Sequence, residues 1–448
     1  MSRFDFLARF FGGLKPTLQP TLQPALRRAL LCVAISTALP AFAQDLLIKH
    51  ATVHTAGARG TLKDADVLIQ GGIIRMVGKD ILIAPNVPVY DAKGQALTPG
   101  LFGGVGDIGL EEVSGEESTV DSAQSFGGGG QPPQMRPEFD VSLAFNPDSM
   151  LLPVARMGGV TWSVLSANSA GGGSLVAGQG GSIRLDGRAD SNVFGPKLLF
   201  VSLGSGAQSL SGKSRAAQYM LLEQAIREAR GLAPYGTPNA LLTPTGRETL
   251  AKYLIGGRVL FSVDRAADIR QMLAFSRKHG LRPILVGGAE AWRVAPQLAA
   301  AKVPVILNTL QNLPGSFDQI GARLDNAALL HKAGVQVIVS DFDFASHNAR
   351  KVRQDAGVAV ANGLPWESGL AAITSVPAAA FGVGDQVGRI EPGLVADLVL
   401  WNGDPLELTT TAEQVWMRGQ AMPMRSRQTE LRDRYLQAPG ALPRAYQH

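Results

Sequence analysis

Three aspartates stand just past apolar runs of the chain: Asp107 after residues 101–106, Asp264 after 258–262, and Asp341 after 335–340. If those runs are strands of one parallel sheet, the three carboxylates approach a common rim. An oxygen-only set of this kind suits Mg, Ca or Mn better than Zn. Buried there, it needs a metal or paired partners, because an isolated charge is costly away from water. The alternative is that each aspartate is solvated or paired separately. The histidines are His50, His54, His279, His331, His347 and His448, and His347 alone follows such a run closely. It sits in the segment after Asp341 that lines the expected rim, so His347 and Asp264 are the candidate substrate-binding groups.

The other histidines have ordinary readings. His50 and His54 lie in opening strands. His279 ends a helix before Gly280, where a cation suits the dipole, and His331 falls on an amphipathic helix. Glu290 is read as opening a helix, where a carboxylate is favoured.

The elements that must position these groups begin with short alternating strands over residues 45–97, including a hairpin turned at Gln70-Gly71-Gly72. Residues 114–137 and 167–181 are Gly- and Ser-rich and read as surface loops. From residue 258 onward strand and helix alternate regularly, with strands at 258–262, 282–286, 304–307 and 335–340. Apolar strands in that rhythm imply a parallel sheet, and their spacing predicts a (β/α)8 TIM-like barrel over residues 98–385. No G-x-G-x-x-G or P-loop pattern opens a helix. Residues 386–425 return to strand pattern, which predicts a small β-sandwich built from 44–97 and 386–425. A polar tail, 426–448, follows.

Composition bounds the function classes. Over 448 residues, 45% hydrophobic and 18% charged residues describe a globular chain. A net charge of +5 without a dense basic stripe gives no support to a nucleic-acid partner. The first 28 residues carry five Lys or Arg against Asp5, and an apolar run to Leu39 leads into Ala41-Phe42-Ala43. This reads as a signal peptide cleaved after Ala43, and its apolar run is shorter than the ~20 residues that span a bilayer. The mature product would be periplasmic or secreted, with no stable membrane anchor. Cys32, the only cysteine, lies within that signal, so the mature chain has no thiol nucleophile, disulfide or Cys–zinc site.

Three stretches resemble a known family. Leu97-Thr98-Pro99-Gly100-Leu101 resembles the opening motif of the amidohydrolase superfamily. Residues 387–401, Val-Gly-Arg-Ile-Glu-Pro-Gly-Leu-Val-Ala-Asp-Leu-Val-Leu-Trp, are similar to its closing signature, and Thr374–Gly382 to the helix before it. Residues 265–269 with 288–292 look most like secreted imidazolonepropionase-like members. The resemblance implies a hydrolase of C–N and related bonds, amide or dipeptide-like, acting on a small molecule. It also implies one or two divalent metals at the barrel mouth, held by His-x-His on strand one, a His each on strands five and six, and an Asp on the last strand. Carried onto this chain, those positions fall on Val105 and Asp107, near Ser262, near Gly287, and on Asp341, the candidate catalytic residue.

Two functions therefore stay open: an exported hydrolase with an altered site, or a barrel that kept its fold, lost its metal chemistry and now binds or scaffolds.

Overall fold

A computed structural model describes residues 45–125, 135–188, 193–233, 236–311, 313–342 and 345–436. The expected signal peptide and its cleavage point, Cys32, His448 and the end of the polar tail lie outside the described residues.

The site is carried by an eight-stranded sheet in sequence order: Leu101–Gly106, Val160–Leu165, Val176–Arg184, Val193–Ser202, Arg258–Val263, Arg282–Gly287, Val305–Leu307 and Val337–Val339. The third strand runs against both neighbours; every other adjacent pair is parallel. The all-parallel (β/α)8 expectation is corrected at this strand, which falls partly in the stretch read as a Gly-rich loop. Its glycines permit close packing: a Cβ at Gly180 would lie 2.1 Å from the Leu165 carbonyl oxygen, and one at Gly178 (φ +137°) 2.6 Å from that of Phe139. Glycine in a strand marks such close backbone approach.

The first and last strands do not pair directly. Residues 372–373 lie between them: Val339 donates its N–H to the Ala372 carbonyl (3.1 Å) and Phe102 to that of Ile373 (2.8 Å). Ser340 Oγ adds a tie by accepting the Val105 N–H at 3.0 Å. The barrel is thus nearly closed, with one rung made by a helix–helix junction.

The two chain ends pair as well. Ala96–Pro99 lies antiparallel to Leu398–Trp401, with Leu97 opposite Leu400. They belong to one continuous eight-stranded sheet, whose edge at Ile73 returns to bridge Val395. The expected small sandwich is, in the described residues, this single sheet around a core of Ile48, Val67, Ile69, Leu97, Leu398 and Trp416. The hairpin at Gly71-Gly72 forms, both glycines having positive φ, as such turns require. In the tail, Arg427–Leu436 is a helix with no buried residue.

Candidate functional site

Parallel strands deliver their C-terminal ends to one rim, where a cavity of about 540 Å3 is lined by Ser202, Ser205, Ser262, Asp264, Gly287 and Asp318, among others. Asp264 leaves the fifth strand and is held by two donors: the Ala289 N–H to Oδ1 (3.1 Å) and Gln319 Nε2 to Oδ2 (2.8 Å). Burial pushes its carboxyl above the usual range despite those bonds. Gly287, at the end of the sixth strand, has φ +91°, and a Cβ there would sit 2.7 Å from Asp264 Oδ1. The aspartate occupies the space any side chain at 287 would need.

Asp318 faces the same cavity. Burial raises its carboxyl, but the Ser205 amide and hydroxyl and the Arg215 guanidinium outweigh that and hold it below the usual range. Arg215 also bonds Asp268 (2.9 Å), which pairs with Arg265 (2.8 Å).

Asp107 begins a tight turn: its carbonyl accepts the N–H groups of Leu110 and Glu111. The turn brings the Glu111 carboxyl back beside Asp107. Burial and Asp107 raise that carboxyl, and His347, whose Nε2 is 3.3 Å from Glu111 Oε1, opposes them. His347 thus pairs with Glu111. Sequence reading missed Glu111; the available signal was its position four residues after Asp107, across Gly109 (φ +80°).

Asp341 accepts two long bonds, from Asn308 Nδ2 (3.4 Å) and Asn348 Nδ2 (3.3 Å). Its electrostatic neighbour is Asp355, on the helix Val352–Ala361, also missed in the sequence. Burial, with the Asp341 charge adding to it, pushes the Asp355 carboxyl up to about 7.

Residues 268–422 match the family described as the amidohydrolase family. A curated relative, amidohydrolase tasK of Hapsidospora irregularis, is 24% identical over 404 residues, covering 80% of this chain and 39% of the relative. An amidohydrolase structure from Thermotoga maritima MSB8 superposes with TM-score 0.74 at 24% identity, covering 85% of this chain and all of the other. Over residues 268–422 the chain is similar to the amidohydrolases in sequence, and its barrel shares their fold. A triazine hydrolase from Arthobacter aurescens, modified for expression, shares the fold at TM-score 0.51 and 17% identity, over 87% of this chain and 97% of that one. The chain spans well under half the length of the curated relative.

Within this barrel the implied ligand positions can be tested against the side chains present. Strand one carries Val105 and Asp107, strand five Ser262, strand six a glycine whose side-chain space is filled by Asp264, and Asp341 follows strand eight. The three aspartates are not gathered: Asp107 lies with Glu111, Asp264 with Gln319, and Asp341 with Asn308, Asn348 and Asp355. Among the described residues no group of three or more His, Cys, Asp or Glu is placed to hold a metal ion. The side chains present therefore do not fit the ligand set that the resemblance implies.

The remaining histidines serve elsewhere. His50 lies 3.2 Å from Asp91, and His54 packs on Trp366 with ring centroids 4.8 Å apart. His279 ends its helix 2.9 Å from Glu223, and His331 lies on the helix Asn326–Lys332. Glu290 does stand at the start of a helical turn, Ala291–Val294, but its carboxylate reaches elsewhere: it accepts the Ala266 N–H at the start of Ala266–His279 (3.0 Å) and that of Gly321 (3.2 Å).

Proposed function

We propose that the chain is an exported hydrolase that takes a small polar molecule into the mouth cavity and cleaves a C–N bond by carboxyl chemistry. The observation that carries this reading is Asp264: a half-buried carboxyl on the wall of a cavity of about 540 Å3, its titration raised above the usual carboxylate range by desolvation. In its protonated form, which the upward shift favours, that carboxyl can donate a hydrogen bond to a substrate carbonyl oxygen and stabilise the charge that grows there during attack. Asp341 does not line the cavity but directly precedes Phe342, which does; from that position, the family's acid–base one, it takes the proton of the attacking water and returns it to the departing nitrogen, giving a carboxylic acid and an amine. His347, tied to Glu111, contributes to substrate binding at the rim. Export supplies the compartment, with the mature chain beginning at Gln44.

The test is hydrolysis of dipeptides, cyclic amides and lactones by the purified mature protein, with its metal content and N-terminal residue determined in parallel. Turnover that falls by about a hundredfold or more in Asp341→Asn supports this assignment. Stoichiometric metal lost together with activity in that variant would replace it with metal-assisted hydrolysis. A second reading, a barrel that binds a small molecule without turnover, is favoured by the Gly287–Asp264 packing, which leaves no room for a sixth-strand ligand. It stands if a ligand raises the thermal midpoint saturably while no substrate is consumed.

A further inference from the structure

At the opposite rim, by the N-terminal end of the second barrel strand, lies a cavity of about 320 Å3. Its lining includes Arg350, Lys351, Arg353, Ser426, Gln428 and Thr429, and no carboxylate. Arg353 is 93% buried, from a relative exposure of 7%, yet no acidic side chain pairs with it among the described residues. Its guanidinium donates to the carbonyls of Pro405 (3.3 Å), Glu407 (2.5 Å) and Thr410 (2.5 Å), and lies 5.5 Å from the Trp401 ring centroid. Carbonyl dipoles satisfy its N–H groups but leave the positive charge unbalanced in a poorly solvated place, where a counter-ion is worth most.

Two further cations point the same way. Arg350 is set against Gly158, where a Cβ would come within 2.6 Å of the arginine's own Cβ, so the glycine admits its backbone to the cavity edge. Lys351 precedes the helix Val352–Ala361. Glu430 lies 3.8 Å from Arg425, and among the described residues the one acid whose charge registers with the lining is Asp355, which feels Lys351 and is itself pushed up to about 7. On the facing wall Ser426 and Thr429 cap the ten-residue helix Arg427–Leu436, the Ser426 N–H reaching Thr429 Oγ1 at 2.9 Å. That helix turns its positive end toward the same space.

We infer that this cavity is a binding site for a phosphate group, with Arg350 and Lys351 as the cations that contact it and Arg353, held by carbonyls, as a buried positive charge behind them. The space, roughly that of ten waters, accommodates a hydrated phosphate ion or the phosphate end of a small monoester. The site is independent of the mouth chemistry.

The test uses the mature full chain in calorimetric titration and thermal unfolding, with sodium phosphate compared with sodium chloride at equal ionic strength. Saturable phosphate binding is expected, its dissociation constant raised about tenfold or more in the double variant R350Q/K351Q, because charge-assisted hydrogen bonds are lost. Both substituted residues are exposed, so the variant is expected to keep the parent's circular dichroism, and R350K/K351R should restore affinity. Phosphoserine as competitor separates the sources: displacement at equal affinity identifies the bare phosphate group as the ligand, and tighter binding identifies a phosphorylated small molecule. No saturable phosphate effect, or equal affinity in the double variant, overturns the assignment.

Discussion

Asp355 and Asp341 show how one residue's surroundings set its chemistry. An aspartate ordinarily titrates near 3.8; in the fold, burial and the Asp341 charge bring Asp355 to about 7. The folded state therefore binds a proton more tightly than the unfolded chain, and stability falls as pH rises from about 4 to about 7. The interval corresponds to at most about 4 kcal/mol, at 1.36 kcal/mol per pH unit. Asp355→Asn should flatten that fall, leaving the variant more stable than the parent at pH 8. Asp341→Asn should move its midpoint to lower pH by removing the neighbouring charge. Urea melts from pH 4 to 8 check both, and an unchanged pH profile in Asp355→Asn would discard the pairing. Asp264, raised chiefly by burial, contributes in the same direction.

At the scale of elements, the nearly closed barrel depends on a few polar ties that replace strand pairing. Ser340 Oγ accepts the buried Val105 N–H, so Ser340→Ala leaves that donor without its partner. The expected loss is about 1–3 kcal/mol, the desolvation penalty of an unsatisfied amide, read from the denaturation midpoint. The reversed third strand is the more severe case. Gly180→Ala puts a methyl against the Leu165 carbonyl, and a loss of more than about 2 kcal/mol is expected, with lower soluble yield.

These elements also show what the sequence could and could not reveal. The strands at 258–263, 282–287 and 337–339 were legible because each carries a short, mostly apolar run rich in Val, Ile and Leu. Strand 176–184 was not, since its glycines report an inter-strand distance that local pattern does not contain. Nor were Glu111 and Asp355, whose roles come from neighbours far along the chain: His347, and the rim beyond strand eight. Family motifs told where ligands should stand, and the sequence told that imidazoles were missing. What stands there instead required coordinates.

For the whole molecule, the question is whether the barrel and the terminal sheet are separable. One apolar core holds Leu101, Phe102 and Val160 of the barrel with Val399, Trp401, Val415 and Met417 of the terminal sheet. Trp401 packs on Gly159 (φ +86°), where a Cβ would fall 2.5 Å from the indole. A buried ion pair crosses the same boundary: Arg184 Nη1 of the third barrel strand lies 2.7 Å from Asp397 Oδ2, with both side chains 3% exposed. Asp397 also accepts the Arg418 N–H at 2.8 Å, and Gln386 accepts from Arg184. Replacing both charged partners by apolar groups can be neutral, but removing one strands the other. Asp397→Ala should therefore cost about 3–5 kcal/mol, whereas the Arg184→Met/Asp397→Leu pair should recover part of that loss. Because the contacts are shared, the two sheets should unfold in a single transition. Tryptophan emission reports Trp401 and Trp416 in the terminal sheet with Trp162, Trp292 and Trp366 on the barrel side, and circular dichroism at 222 nm, about the α-helical minimum, reports the barrel helices. The two probes should give coincident midpoints in guanidinium. Separate midpoints would show that each sheet holds its own fold, and that the family's end motifs stabilise a module of their own and leave the barrel mouth unaffected.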